Sequence, residues 1–209
     1  ASDVYKRQPI YPGDPEPSVT VATTLENEGY NLSTLVMGTQ TGTHVDAPYH
    51  FSNSGETIDN MELDFFLGEA VVVRVTDKKA DEAITLEDIE PYKEEICEGK
   101  IVLFNTNWYK TRGTDEFFHH PYVNGDVAKY LVDNGVRFIG IDTINADQTG
   151  GTEFPVHDLF SEKRLMIGEN WAFFDQIDFE RPYVIALPMK LIGCDGSPVR
   201  AIAVQWEEE

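Results

Sequence analysis

The stretch Asp126-Val-Ala-Lys-Tyr-Leu-Val-Asp-Asn134-Gly135-Val-Arg-Phe138-Ile-Gly-Ile141 sets the fold class. Val127, Leu131 and Val132 recur at helical spacing over Asp126–Asn134, and Gly135 stops the run. Phe138–Ile141 then becomes a short uninterrupted apolar segment. A matching segment, Ile101–Phe104, lies upstream. Two apolar strands around one amphipathic helix predict a βαβ unit with parallel strands and a right-handed crossover. Further strand-like runs are Ser18–Thr24, Leu32–Gly38, Ala70–Thr76, Tyr183–Leu187 and Val199–Gln205, rich in Val, Ile, Thr and aromatics. Thr85 reads as the cap of a short helix that Pro91 limits, and Pro155 as the start of another. Gly168–Gln176 reads as a further short helical piece. The class is α/β with mixed sheets and more strand than helix. No stretch has the composition of a linker, so residues 9–206 are expected to form a single domain.

The ends stand apart from that domain. Residues 1–8 are polar and aperiodic and read as a non-native or scar segment, while 207–209 read as a solvated acidic tail. The chain carries 16 Lys and Arg against 37 Asp and Glu, a formal net charge of −21. Phosphate backbones and anionic membranes repel such a surface, so neither nucleic acid nor membrane is an expected partner. No apolar run approaches the roughly 20 residues of a membrane-spanning helix, and no apolar stretch of signal-peptide type opens the chain. Cys97 and Cys194 form no CxxC pair and are expected to be reduced thiols, which fits a cytoplasmic location.

Chemistry concentrates in Gln40-Thr-Gly-Thr-His44-Val-Asp46-Ala-Pro-Tyr-His50-Phe51. If extended, this segment turns Gln40, Gly42, His44 and Asp46 to one face, since strand side chains alternate. Gly42 leaves its backbone open to approach. Pro48 ends regular pairing and re-aims the chain, so that His50 returns towards the same pocket. An imidazole and a carboxylate two residues apart are half of a metal site for Zn²⁺, Mn²⁺ or Fe²⁺. A bare His/Asp pair on a strand edge is the plainer alternative. Downstream, His157 and Glu169 lie 12 positions apart and offer the missing nitrogen and oxygen donors. The remaining histidines, His119 and His120, are adjacent and read as loop residues.

The segment from Gln40 to Phe51 resembles the His-x-Gly-Thr-His-x-Asp-x-Pro-x-His signature of the cyclase family of metal-dependent hydrolases, which includes kynurenine formamidase (arylformamidase) and isatin hydrolase. Tyr11-Pro-Gly-Asp-Pro15, Phe138-Ile-Gly-Ile-Asp-Thr143 with Asp147 after it, Leu187-Pro-Met-Lys and Asp195-Gly-Ser-Pro-Val-Arg200-Ala resemble further family segments. The resemblance runs from about residue 9 to 205. It implies a swivelling β/β/α domain, homodimeric or homotetrameric, holding one or two divalent ions, zinc or manganese. By the same resemblance His44 and Asp46 ligate one ion, Asp46 bridges to a second held by His157 and Glu169, and His50 is the catalytic acid/base. Gln40 departs from the pattern, which has a ligand histidine there. A carboxamide oxygen is a weaker donor for zinc than an imidazole. Gln40 can ligate through its oxygen and favour Mn²⁺, hydrogen-bond to water or substrate and leave one ion, or impair the site.

The activity so implied is hydrolysis of amide C–N bonds in a small molecule, an aryl formamide or a cyclic imide or lactam. Metal-activated water attacks the carbonyl and His50 moves the proton. Ester or lactone hydrolysis on the same site, or a metal-holding protein without turnover, are the alternatives. Tyr11, Phe51 and Trp108 are the expected pocket aromatics, with Phe65, Phe66, Phe154 and Trp171 as further candidates. Gly-x-Ser-x-Gly, His-Glu-x-x-His and phosphate-binding glycine loops are absent from the sequence.

Overall fold

The computed structural model describes residues 10–206; the expectations for residues 1–8 and 207–209 lie outside them. The strands, in chain order, are β1 (Ser18–Thr23), β2 (Leu32–Val36), β3 (His44–Asp46), β4 (Leu67–Arg74), β5 (Ala83–Ile84), β6 (Ile101–Asn105), β7 (Tyr122–Val123), β8 (Phe138–Ile141), β9 (Met166–Glu169), β10 (Tyr183–Ile185), β11 (Gly196–Pro198) and β12 (Ile202–Val204). The α-helices are α1 (Leu25–Glu28), α2 (Leu86–Ile89), α3 (Gly125–Asp133) and α4 (Pro155–Glu162). Eight strands form one mixed sheet in the order β11-β3-β9-β8-β6-β4-β10-β12.

The expected βαβ unit is β6–α3–β8. Ile101 pairs with Phe138 and Phe104 with Ile141, in parallel. Asn124 caps α3, its side-chain oxygen accepting from the Asp126 amide. The four central strands β4, β6, β8 and β9 are mutually parallel, and β3 joins β9 antiparallel. Alternate residues of these strands feed two cores. Val71, Val73, Val102, Phe104, Ile139 and Ile141 pack with Val127, Leu131, Val156 and Phe160 of α3 and α4. Ala70, Ile101, Leu103, Phe138 and Met166 pack on the other face with Trp171, Phe174 and Val184. Burial on both faces is why these strands read as continuous apolar runs rather than alternating ones. The β1–β2 hairpin stands outside the main sheet, with Val21, Leu32, Leu35 and Val36 exposed.

Two sequence expectations are corrected here. Gly168–Gln176 is not helical at its start: Gly168 and Glu169 belong to β9, and only Phe174–Gln176 makes a 3₁₀ turn. Met166-Ile-Gly-Glu is too short for periodicity to separate a buried strand from a helix turn. The extended face expected from Gln40 onwards begins only at His44. Gly42 takes φ 73°, so the chain bends before the strand and alternation does not reach Gln40.

Gly140 and Gly168 face each other across β8 and β9 and form a bed for the Trp171 indole. A β-carbon at Gly168 would lie 2.7 Å from the ring. Gly168→Ala is therefore expected to destabilise the protein by about 1–3 kcal/mol through overpacking. Urea unfolding measures this, and an unchanged midpoint would refute it. The indole Nε1 donates to the His44 carbonyl at 3.0 Å, so the disturbance would reach the strand that carries the site.

Candidate metal centre

Strand register brings the first donors together. His44 on β3 lies directly opposite Glu169, the last residue of β9, at the carboxyl end of the parallel strands where α/β sheets place ligands. Asp46 shares the face of His44 because it lies two residues along the strand. His157 arrives from the first turn of α4, whose start is clamped by Asp147: one carboxylate oxygen accepts the Val156 amide, the other the His157 amide, each at 3.0 Å.

Four side chains from three elements thus converge. His44 Nε2 lies 3.3 Å from Asp46 Oδ1 and 3.6 Å from Glu169 Oε2. His157 Nε2 lies 3.2 Å from Glu169 Oε1 and 3.6 Å from Asp46 Oδ2. Ligand atoms of His44, Asp46 and Glu169 all lie within 4.8 Å of one another. All four residues are buried. Both imidazoles are held by their other nitrogen. His44 Nδ1 donates to the Gly42 carbonyl at 2.7 Å, and His157 Nδ1 to Asp147 at 2.7 Å. Partners of this kind orient metal-binding histidines.

The donor set fits a cation. With both Nδ1 atoms protonated, both Nε2 atoms face carboxylate oxygens, which repels unless a proton or a metal ion lies between. Among the described residues neither Asp46 oxygen has a hydrogen-bond partner, although both are buried, an expensive arrangement for an ionised group. Glu169 differs, since its Oε1 also accepts the Ala146 amide at 2.6 Å. Without an ion, protons do the work. Burial pulls the His44 pKa down, but Asp46 and Glu169 outweigh it and raise it to about 10. His157 is likewise raised well above 6.5, against its burial, by Asp147, Asp46 and Glu169. Asp46 is held far below the usual carboxylate range by the two imidazoles despite burial. Two imidazolium protons equal the charge of one divalent ion. Ion binding at pH 7 is therefore expected to release protons, and apparent affinity to climb as pH rises towards about 10, where His44 is half-titrated. Calorimetry in buffers of different ionisation enthalpy counts those protons; none released would contradict the charge state.

His44, His157 and Glu169 line an open cavity of about 510 Å³. Tyr11, Phe51, Phe154 and Ile144 line it, together with His50, Gln40 and Asp195. The Phe51 ring lies 4.4 Å from the His157 ring and 5.4 Å from Phe154. Of the aromatics expected at a pocket, Tyr11, Phe51 and Phe154 line this cavity. Trp108 does not line the cavity. It is buried with Phe117 and Ile144 in a small cluster behind Tyr11, its indole nitrogen donating to the Glu116 carbonyl. Phe66 and Trp171 are buried in the core, and Phe65 packs against it. His50 follows the Pro48–His50 turn to the cavity wall. Gln40 is tied to Asp195, its Nε2 donating to Oδ2 at 2.9 Å, and among the described residues its buried Oε1 has no hydrogen-bond partner. Asp195 and Asp147 were absent from the sequence-derived site, and their contacts with His50 and His157 span 145 and 10 positions.

A family model described as putative cyclase matches residues 2–148. The chain belongs to this cyclase family. It is 31% identical over 193 residues to kynurenine formamidase of Bacillus mycoides (strain KBAB4), a match covering 92% of this chain and 89% of that protein. It is similar to a protein from Bacillus stearothermophilus described as a predicted metal-dependent hydrolase, with a TM-score of 0.80 and 29% identity over 97% of this chain and 94% of the other. Its fold is that of isatin hydrolase A from Labrenzia aggregata, solved with benzyl benzoate bound. There the TM-score is 0.87 and the identity 24%, over 96% of this cyclase-family chain and 89% of that one.

Proposed function

We propose that this cyclase-family protein is a metal-dependent hydrolase of non-peptide amide C–N bonds, acting on an aryl formamide or a cyclic imide or lactam. One observation carries the reading: His44, Asp46 and Glu169 bring ligand atoms within 4.8 Å of one another, His157 Nε2 lies 3.2 Å from Glu169, and among the described residues both buried Asp46 oxygens lack a hydrogen-bond partner. Kynurenine formamidase and a metal-dependent hydrolase among its relatives support the same assignment. His44, Asp46, His157 and Glu169 are the proposed ligands. A divalent ion held there supplies Lewis acidity, drawing the pKa of water towards about 7 and polarising a carbonyl oxygen. His50 is the general acid/base: its Nε2 accepts a proton from the attacking water and returns it to the leaving nitrogen as the C–N bond breaks. Tyr11, Phe51 and Phe154 offer apolar faces for an aromatic substrate. Turnover of formanilide, a cyclic imide and a lactone by protein of known metal content tests the assignment. Hydrolysis of the lactone alone would move the activity to esters, and bound metal without any turnover would leave a metal-holding protein.

We assign one ion rather than two, zinc or manganese. Gln40, where the family pattern has a ligand histidine, is engaged by Asp195 through its amide nitrogen. Gln40→His restores an imidazole at the departing position. The metal-to-protein ratio is then expected to rise from about one towards two ions, since imidazole is the stronger donor for such metals. Elemental analysis after exhaustive dialysis reads this, and an unchanged ratio would remove Gln40 as the determinant. Self-association into dimers or tetramers is also proposed, supported by the exposed apolar hairpin β1–β2. The unpaired Cys97 and Cys194 support a reducing compartment such as the cytoplasm. Among the described residues no helix is long and apolar enough to cross a membrane.

A further inference from the structure

A general acid/base needs one ring nitrogen free and the other fixed. His50 Nδ1 lies 2.9 Å from Asp195 Oδ2. The same oxygen accepts from Gln40 Nε2 at 2.9 Å, and Asp195 Oδ1 accepts from Thr39 Oγ1 at 2.7 Å. An ionised carboxylate can only accept, so both of its nitrogen neighbours donate. The 3.2 Å approach of Gln40 Nε2 to His50 Nδ1 is then two donors sharing one acceptor oxygen, not a hydrogen bond between them. Hence Nδ1 carries a hydrogen, and in the neutral ring Nε2 is the nitrogen with the lone pair. Among the described residues none hydrogen-bonds His50 Nε2, and the ring lines the cavity. Asp195 is held well below the usual carboxylate range, chiefly by its bond to His50, which keeps it ionised.

Backbone register builds this arrangement. β11 pairs with β3 so that Gly196 faces Asp46, and the Asp195 carbonyl accepts the Ala47 amide at 2.8 Å. Residue 195 is thereby fixed beside the metal strand. A β-carbon at Gly196 would lie 2.6 Å from Gln40 Nε2 and 2.6 Å from the Val45 carbonyl, so the lack of a side chain there is what admits Gln40.

We infer that Asp195 is the positioning residue of this site, holding His50 as the Nδ1–H tautomer with Nε2 turned to the cavity, and that Thr39 and Gln40 fix its carboxylate. The role rests on the reading of His50 as the acid/base. It gives Gln40 a purpose that the ligand pattern does not: the carboxamide braces the proton-handling pair instead of the ion.

The test uses the zinc-loaded protein with ¹⁵N-labelled histidine, the His50 signal being identified by its loss in His50→Ala. Wild type is expected to show Nδ1–H. Asp195→Ala is expected to shift His50 towards Nε2–H and to lower kcat on formanilide about 10–100-fold, the usual cost of losing an orienting partner. KM and the zinc-to-protein ratio should move far less. Asp195→Asn keeps an oxygen acceptor and is expected to restore the Nδ1–H signal and much of the turnover. Thr39→Val, which leaves Asp195 in place, should give a smaller loss of the same kind and serves if Asp195→Ala does not fold. An Nε2–H wild type, or an Asp195→Ala protein with unchanged tautomer and kcat, would overturn the positioning role. Full turnover in His50→Ala would instead overturn the acid/base reading beneath it, so the two failures are told apart.

Discussion

Asp46→Ala is expected to empty the metal centre and remove turnover together. Asp46 is the carboxylate between the two imidazoles, 3.3 Å from His44 Nε2 and 3.6 Å from His157 Nε2. Among the described residues none hydrogen-bonds its oxygens, so their stabilisation must come from a cation or from imidazolium protons. Loss of an orienting partner outside a metal shell costs roughly 10–100-fold in affinity or activity; loss of this central donor should exceed that range in both. The stability of the protein should change as well. An ion present at about 1,000 times its Kd stabilises the fold that binds it by roughly 4 kcal/mol. Adding a chelator is therefore expected to lower the melting temperature of the wild type and to leave that of Asp46→Ala where it was. Without Asp46 the opposing effect of burial on His44 is less balanced, and its pKa should fall back from about 10. Elemental analysis and melting curves with and without chelator decide the matter. A variant that retained wild-type metal content would exclude Asp46 as a ligand.

How far the sequence foretold this centre depends on the range of each contact. His44 and Asp46 were legible because strand alternation fixes their shared face within three residues. His50 was legible because Pro48 visibly re-aims the chain. The meeting of His44 with Glu169 was not derivable from spacing, since it requires β9 to exist and to lie antiparallel to β3 in a particular register. Sequence patterning placed a helical piece there, because Met166-Ile-Gly-Glu offers too few residues to show a period. Residue type offered His157 and Glu169 as donors, and the resemblance to the family tied them to His44 and Asp46. Asp195 lies still further out of reach. Its partner His50 is 145 positions away, and although Asp195 opens a segment that resembles the family, nothing local marks it as the partner of a histidine. The parallel core was the easiest part: β6, α3 and β8 are consecutive and their apolar runs are unbroken. What stayed hidden in each case was an interaction between elements, set by register and helix docking.

His50→Ala separates proton transfer from metal binding. His50 stands off the cluster, its ring centre 6.0 Å from that of His157, and it hydrogen-bonds Asp195 rather than any of the four proposed ligands. Truncating it should leave the metal-to-protein ratio and the melting temperature near the wild-type values. Turnover of an aryl formamide should still fall by about 10²–10⁴-fold, the span that a positioned acid/base contributes. Most of that loss should appear in kcat rather than KM, because a proton transferred in the transition state adds nothing to ground-state binding. The amide leaving group sharpens the expectation. An amine is expelled only after its nitrogen gains a proton, whereas the alcohol of an ester leaves with less help. The variant should therefore be hurt more on an aryl formamide than on an ester of matching shape. Equal losses on both would mean that His50 acts on the attacking water alone, and an unchanged kcat on the formamide would take it out of the mechanism.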